Sequence, residues 1–342
     1  MVDFIKVNQP VPIEFLNMSK WEECTYKSKR TGQIEKGLRT FIGKLNVTYS
    51  LLTQTMYVKG RLINIVEKSY YLNFDDFENY QEVIEKCFIK ANEKLNKLFI
   101  KDFVVDITQM HVTQIEYSFN IKTKYKKEYI KILNLIYAEN QDGKFKRYKN
   151  YPFEKGLDFY SSFYLKTKAD FINNRKITFC LDIYDKQDQL ENKATKNKKD
   201  CRRTKVPIAD INASKDILRI ECKAYYEYIN SLCNKFKITN NLENLFDIKI
   251  AKDAVISKIK YLFGSGDFYQ KTVAKTKLKD LKLKSNLDTP FSDLTEYYAK
   301  ERKRVLTNIN ICPYGFIPEE WGIDMLENPI KLILDKIANY NI

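Results

Sequence analysis

The sequence lacks an apolar run long enough to cross a lipid bilayer. Its first ten residues, MVDFIKVNQP, also lack the apolar core of a secretory signal peptide. These two absences argue against an integral membrane protein and against export through the general secretory pathway. We therefore expect a cytoplasmic protein without a membrane partner.

Paired cysteines are missing as well. The seven cysteines include no Cys-x-x-Cys pair, and their odd number and irregular spacing argue against a disulfide framework and a zinc ribbon. Histidine is nearly absent, since His111 is the only one. Because free cysteine is commonly buried, we expect core positions for most of these residues: Cys24, Cys87, Cys180, Cys201, Cys222, Cys233 and Cys312.

Positive charge is what the chain has in excess. Among 342 residues, 59 Lys and Arg face 44 Asp and Glu, which gives a formal charge of +15. The chain is also 44% hydrophobic and 14% aromatic, enough to bury a substantial core. A basic globular protein without a membrane segment favours a nucleic-acid partner.

Three short segments alternate apolar and polar residues, as half-buried β-strands do. They are His111–Phe119, Ile177–Lys186 and Ile217–Ala224. If the three pair in one sheet, their apolar residues form one face that belongs to the core. The opposite face then gathers carboxylates, a tyrosine and several cations: Glu116, Asp182, Tyr184, Lys186, Arg219, Glu221 and Lys223.

The remaining pattern predicts an α+β fold, in which an antiparallel sheet carries helices on one face. We expect a strand over Thr55–Val66 with an irregularity at Gly60, and helices from Asp75 or Asp76 to Leu98 and over Lys122–Ile136. The segment Gln187–Asp216 is interpreted as a long basic loop, either solvated or a flap over DNA.

A mostly helical and basic region follows. Leu242–Phe263 has helical periodicity and stops at Gly264, and Thr289–Pro290 predicts a helix start with Thr289 as the N-cap. We place a domain boundary near residue 233, which gives a catalytic domain over 1–233 and a helical, basic region over 234–342. No internal repeat is evident.

The polar residues of the three strands suggest phosphoryl chemistry. A tyrosine hydroxyl has an ordinary pKa of about 10, so its attack on phosphorus needs charge neutralisation. Glu116 and Glu221, on two strands, could converge on a divalent cation such as Mg²⁺ or Mn²⁺. Tyr184 is then the candidate nucleophile, and Lys186 could stabilise its phenolate or the leaving oxygen.

Two other interpretations stay open from the residues alone. A strand tyrosine is more often a packing residue, and a strand glutamate is often half of an ion pair. Glu221-x-Lys223, together with Asp200 or Asp210, also imitates the PD-(D/E)xK pattern of metal-dependent hydrolases. A DNA-binding replication or transcription regulator without catalytic activity would need only the positive charge.

The order of several motifs resembles the gene II-type replication proteins of filamentous phages and related plasmids, which are rolling-circle initiators of HUH-like type. The resembling segments are VDFIKVNQPVP, MYVKGRLINIV, VTQIEYSF, ITFCLDIYDKQDQL and ILRIECKA, within residues 1–235. Three departures are visible. Gln114 and Glu116 stand where the family has Arg and Asp, and no His-hydrophobic-His pair accompanies His111.

The resemblance implies a metal-dependent endonuclease that nicks one strand at a replication origin and later rejoins it. Tyr184 would be the nicking tyrosine with Lys186 beside it, and Glu116 and Glu221 would hold Mg²⁺ or Mn²⁺. The implied partners are origin DNA, single-stranded at the nick, and host helicase and polymerase. For the phosphate backbone we expect these cations: Arg175, Lys176, Arg202, Arg203, Arg219 and Lys223.

Overall fold

A computed structural model describes most of the chain. The described residues are 1–27, 34–67, 70–100, 103–139, 145–146, 162–167, 178–196, 206–264, 266–317 and 329–339. Within these residues, no helix is long and apolar enough to cross a membrane.

The fold is α+β with extensive antiparallel β-sheet, which confirms the predicted fold class. The strands are β1 (Val2–Pro10), β2 (Glu22–Lys27), β3 (Ile34–Ile42), β4 (Leu45–Ser50), β5 (Thr55–Gly60), β6 (His111–Lys122), β7 (Phe145–Lys146), β8 (Ser162–Thr167), β9 (Phe179–Asp185) and β10 (Ile217–Tyr225). The helices are α1 (Tyr80–Asn96), α2 (Lys126–Glu139), α3 (Lys186–Lys196), α4 (Ile208–Ala213), α5 (Tyr226–Phe236), α6 (Leu242–Leu245), α7 (Ile248–Phe263), α8 (Lys271–Lys277), α9 (Leu281–Asn286), α10 (Glu296–Asn308) and α11 (Pro329–Ala338).

The chain divides into two compact units. The first contains Met1–Phe119 and Cys222–Ala254, and the second contains Asn120–Glu221 and Val255–Asn341. Strands β6 and β10 and helix α7 therefore each contribute residues to both units. This division does not follow the boundary expected at residue 233, so the separate catalytic domain over 1–233 stays a prediction.

In the first unit the strand order is β2-β3-β4-β5-β1-β6. Strand β1 pairs antiparallel with β5 on one side and β6 on the other, and Ile5 lies opposite both Gly60 and Ile115. The second unit carries the order β10-β9-β8-β7, with Phe163 of β8 opposite Ile183 of β9. Strands β1, β6, β9 and β10 contribute much of the buried apolar core.

The alternation of apolar and polar residues in β6 predicts burial of one face only. Its apolar residues are buried as expected, but Glu116 and Ser118 on the opposite face are buried too. The expectation of a half-buried strand is therefore wrong for this segment. A carboxylate at such a position needs ion-pair or hydrogen-bond partners, because an uncompensated buried charge is costly.

The helices follow the predicted pattern with local corrections. Helix α1 buries Cys87, Ala91 and Leu95, four residues apart, which confirms the predicted helical stripe. The next helix begins at Lys126 rather than Lys122, because β6 continues to Lys122. The interpretation of Gln187–Asp216 as a loop is wrong at both ends, where α3 and α4 form; residues 197–205 lie outside the described residues.

Turn residues account for the other differences. The strand predicted to reach Val66 ends at Gly60, whose φ is +146° and where an added Cβ would lie 2.8 Å from Leu45 Cδ2. Gly264 follows α7 as predicted, with φ at +72°. The start predicted at Thr289 is wrong: a short 3₁₀ turn intervenes, and Thr295 takes the N-cap position of α10.

Cysteine burial agrees with the sequence. Among the described cysteines, five are buried, Cys24 is half-buried and all are free thiols. Burial raises the pKa of the Cys87 thiol to about 12, as expected for an unreactive core residue. Cys201 lies outside the described residues.

Candidate functional site

Tyr184 lies near the end of β9 and makes a short hydrogen bond. Its hydroxyl donates to Glu221 Oε1 of β10 at 2.6 Å. The alternation of the two strands sets up this pairing, because Tyr184 and Glu221 both occupy positions that the sequence assigns to the polar face. The Tyr184 side chain is nevertheless only 5% exposed. The residues predicted separately as nucleophile and as metal ligand, Tyr184 and Glu221, are thus joined by a hydrogen bond.

Arg219 completes this arrangement from β10. Its Nε donates to the same Glu221 Oε1 at 2.7 Å, and one terminal nitrogen donates to Asn120 Oδ1 at 3.0 Å. The guanidinium is fully buried. A buried arginine beside a carboxylate compensates its charge and fixes its orientation.

The environment keeps the Tyr184 hydroxyl protonated. Burial raises its pKa well above the ordinary value, and the negative charge of Glu221 raises it further, against a smaller opposing effect of Arg219. A hydroxyl in this state is a weak nucleophile until a base accepts its proton. Glu221 Oε1 is already in hydrogen-bonding contact and can act as that acceptor.

The strand-to-helix junction after Tyr184 is held by a buried ion pair. Lys126 Nζ of α2 contacts Asp185 Oδ1 at 2.8 Å. The same oxygen accepts the backbone N–H of Gln187 at 3.0 Å, so Asp185 also caps the start of α3. Lys186 is therefore a helical residue rather than the last residue of a strand. Its ammonium donates to Gln189 Oε1 at 2.9 Å and lies 5.6 Å from the centroid of the Tyr184 ring.

Asp185→Asn is expected to lower the free energy of unfolding by about 2 to 3 kcal/mol, because the buried Lys126 ammonium loses its counter-charge. Asparagine keeps an oxygen that can cap α3, so the loss reports the ion pair rather than the cap. Urea denaturation of the single variants and of Asp185→Asn/Lys126→Met measures the coupling between them. Strictly additive effects of the two substitutions would contradict this role.

A second group of charged residues lies in the first unit. Carboxylate oxygens of Asp3 on β1 and Glu116 on β6 lie within 4.8 Å of each other. Arg61 Nε contacts Asp3 Oδ1 at 2.7 Å, and Lys223 Nζ contacts Glu116 Oε2 at 2.5 Å. Sequence reasoning missed Asp3. The available signal was an acidic residue inside the apolar N-terminal strand VDFIKV.

The structure describes two of the six cations that were predicted to contact DNA phosphates. Arg219 is fully buried on Glu221 and Asn120, so the prediction that it contacts the phosphate backbone does not fit this structure. The Lys223 side chain is 32% exposed and is paired with Glu116. The other four predicted contacts lie outside the described residues: Arg175, Lys176, Arg202 and Arg203.

These contacts add little support for the PD-(D/E)xK hydrolase interpretation. Glu221 is bonded to Tyr184 and Arg219, whereas Lys223 is bonded to Glu116, so the Glu-x-Lys pair has separate partners. Asp210 lies in the short helix α4, and Asp200 lies outside the described residues. His111 contributes an aromatic contact, with its ring centroid 6.0 Å from that of Tyr226.

Comparisons with known proteins give one structural likeness. No protein-family model matches the chain, and no curated protein sequence matches it either. Among solved structures, the chain is similar to a rolling circle replication initiator protein from Geobacillus stearothermophilus. That similarity has a TM-score of 0.32 and 11% sequence identity, and it covers 76% of this chain and 83% of the other.

Proposed function

We propose that this protein is a rolling-circle replication initiator that nicks one DNA strand through Tyr184. The observation that carries the proposal is the 2.6 Å hydrogen bond from the Tyr184 hydroxyl to Glu221, with Arg219 holding the same carboxylate oxygen. The ordered motifs of the sequence support the same assignment. The formal charge of +15 is consistent with a DNA partner.

The proposed chemistry uses these side chains directly. The Tyr184 hydroxyl transfers its proton to Glu221 Oε1 while its oxygen forms a bond to the scissile phosphorus. The bond from phosphorus to the 3′ oxygen breaks, and that oxygen takes a proton from water to leave a 3′-hydroxyl for polymerase. The 5′ end stays on the protein as a phosphotyrosine ester. Attack of a 3′-hydroxyl on this ester reverses the steps and rejoins the strand.

The proposal requires that a DNA phosphate reach the Tyr184 hydroxyl. With Tyr184 only 5% exposed, a phosphate can reach its oxygen only after a local opening of the structure. Binding energy from DNA contacts elsewhere on the protein would drive that opening. Lys186, adjacent in the chain and close to the ring, is proposed to balance the charge of the phosphorylated site.

The resemblance also implies a divalent cation. Asp3 and Glu116 fit such an ion, because they offer hard carboxylate oxygens within 4.8 Å of each other. A bound Mg²⁺ or Mn²⁺ would supply Lewis-acid polarisation of the phosphate. Arg61 and Lys223 limit the repulsion between the two carboxylates in its absence. Glu221 as a metal ligand stays a prediction.

One observation favours a second candidate. The near-complete burial of Tyr184 is also what a structural tyrosine shows, and a DNA-binding regulator without catalytic activity needs nothing more from it. Origin DNA is the proposed partner under either function. Host helicase and polymerase belong to the initiator proposal alone.

A covalent-adduct experiment tests the proposal. Purified protein is incubated with Mn²⁺ and labelled single-stranded oligonucleotides from its own replicon, and the adduct is digested and mapped by mass spectrometry. We expect a phosphotyrosine linkage at residue 184. An adduct at another residue or cleavage without an adduct would overturn the Tyr184 assignment, and binding without cleavage across the panel would favour the regulator.

A further inference from the structure

The densest run of lysines in the helical part of the second unit lies on α8 and α9. Residues 271–284 contain six lysines and one acid, Asp280, which gives a formal charge of +5. This segment of 14 residues thus holds a third of the +15 carried by the 342-residue chain. The proposed nicking chemistry makes no use of it.

Most of the apolar residues of this segment whose side chains the structure describes are buried, and the lysines described there are exposed or half-buried. Ala274, Leu278, Leu283 and Leu287 are buried against Leu306 of α10 and neighbouring apolar residues. Lysines between these positions cannot lie in the core, because a buried ammonium would lose its hydration and apolar neighbours cannot replace those hydrogen bonds. Lys277 and Lys279 are exposed, and Lys271 and Lys284 are half-buried with their stems on the surface.

Little of this charge is neutralised within the protein. Lys275 forms a salt bridge with Asp288 at 2.8 Å, and the Lys277 ammonium lies 3.8 Å from the centroid of the Tyr269 ring. Lys271, Lys279 and Lys284 form no salt bridge with any residue in the part of the chain that the structure describes. Lys271 also acts through space on the Asp288 carboxylate, whose pKa is lowered chiefly by its hydrogen bond from Lys275. The charges of these three lysines are therefore neutralised only in small part within the described residues.

We propose that the lysine surface formed by Lys271, Lys277, Lys279 and Lys284 binds the phosphate backbone of duplex DNA. The inference rests on the proposed function only in taking DNA as the partner. Lysine is a point charge that neutralises phosphates without reading sequence, which suits an anchoring contact.

The chemistry of the surface favours duplex DNA over two other polyanions. Binding of single strands relies on aromatic stacking platforms. Residues 271–287 contain no aromatic side chain, and the nearby Tyr269 ring already has the Lys277 ammonium 3.8 Å from its centroid. Membrane-surface helices carry large apolar side chains to insert between lipids. Among the residues of this segment whose side chains the structure describes, the exposed large apolar residue is Val273, at 38%, near Thr272 and Thr276.

The test compares the full-length triple variant Lys271→Gln/Lys279→Gln/Lys284→Gln with a matched control. The control, Lys86→Gln/Lys90→Gln/Lys97→Gln, removes three exposed lysines on and after α1, where glutamates alternate with the lysines. Affinity for a labelled duplex is measured from about 50 to 200 mM salt. Each lost phosphate contact reduces the slope of log K against log salt by about 0.9, so the test variant should be less steep by about 2.7.

Each outcome decides the inference. A reduced slope in the test variant and an unchanged slope in the control, with equal melting temperatures, supports it. Equal slopes in both variants overturn it, as does loss of binding to phosphatidylserine vesicles in place of duplex DNA. The wild-type adduct assay is separate: if no adduct forms but the slope still depends on these lysines, the nicking proposal fails and this surface stands.

Discussion

Replacing Tyr184 with phenylalanine is expected to abolish the covalent DNA adduct and to reduce nicking by about 10³-fold or more, while DNA affinity is unchanged. The substitution removes the attacking oxygen and keeps the buried ring. Denaturing gels of labelled oligonucleotide measure the adduct, and filter binding measures affinity. The initiator loses cleavage alone, whereas a regulator or a hydrolase is indifferent to the change.

A matched control comes from another strand tyrosine. Tyr117 on β6 is fully buried, its hydroxyl donates to the Leu245 carbonyl at 3.0 Å, and its pKa is also raised chiefly by burial. Tyr117→Phe should cost about 1 kcal/mol of stability and leave the adduct intact. If Tyr184→Phe still forms the adduct, or if Tyr117→Phe loses it equally, Tyr184 is not the nucleophile.

The strands that carry this chemistry could be predicted because a two-residue period is a local property of the chain. The segments expected at His111–Phe119, Ile177–Lys186 and Ile217–Ala224 correspond to β6, β9 and β10, with ends displaced by at most three residues. Their apolar residues are core, as the alternation requires. The polar positions of Tyr184 and Glu221 were predictable on the same basis.

What those polar residues contact could not be predicted, because their partners are remote in sequence. Alternation does not distinguish a solvated polar face from one that is buried and internally paired, as Glu116 is with Lys223. Lys126 and Asp185, which fix the start of α3, are 59 residues apart. Arg219 shows the same limit: a cation on a polar face was taken as a phosphate contact, yet its guanidinium is committed to Glu221.

Replacing Arg219 with alanine is expected to lower the free energy of unfolding by about 3 to 5 kcal/mol, the largest loss that we expect from one substitution at the site. The mostly buried Glu221 carboxylate would lose its counter-charge, and Asn120 Oδ1 would lose a hydrogen-bond donor. A large cavity would also replace a fully buried side chain. Urea denaturation measures the change. Domain stability is of the order of 10 kcal/mol, so the variant should remain folded.

The size of the loss expected for Arg219→Ala depends on the burial of the Arg219–Glu221 pair. An exposed ion pair elsewhere in the chain provides a control. Arg39 and Glu22 form a comparable pair at 3.4 Å with side chains 52% and 73% exposed, so Arg39→Ala should cost less than about 1 kcal/mol. Adding Glu221→Gln to Arg219→Ala should recover part of the loss, because it removes the uncompensated charge. A small effect of Arg219→Ala, or no recovery in the double variant, would mean that Arg219 does not neutralise Glu221. The proposal that Glu221 is held ready to accept the Tyr184 proton would then lose its physical basis.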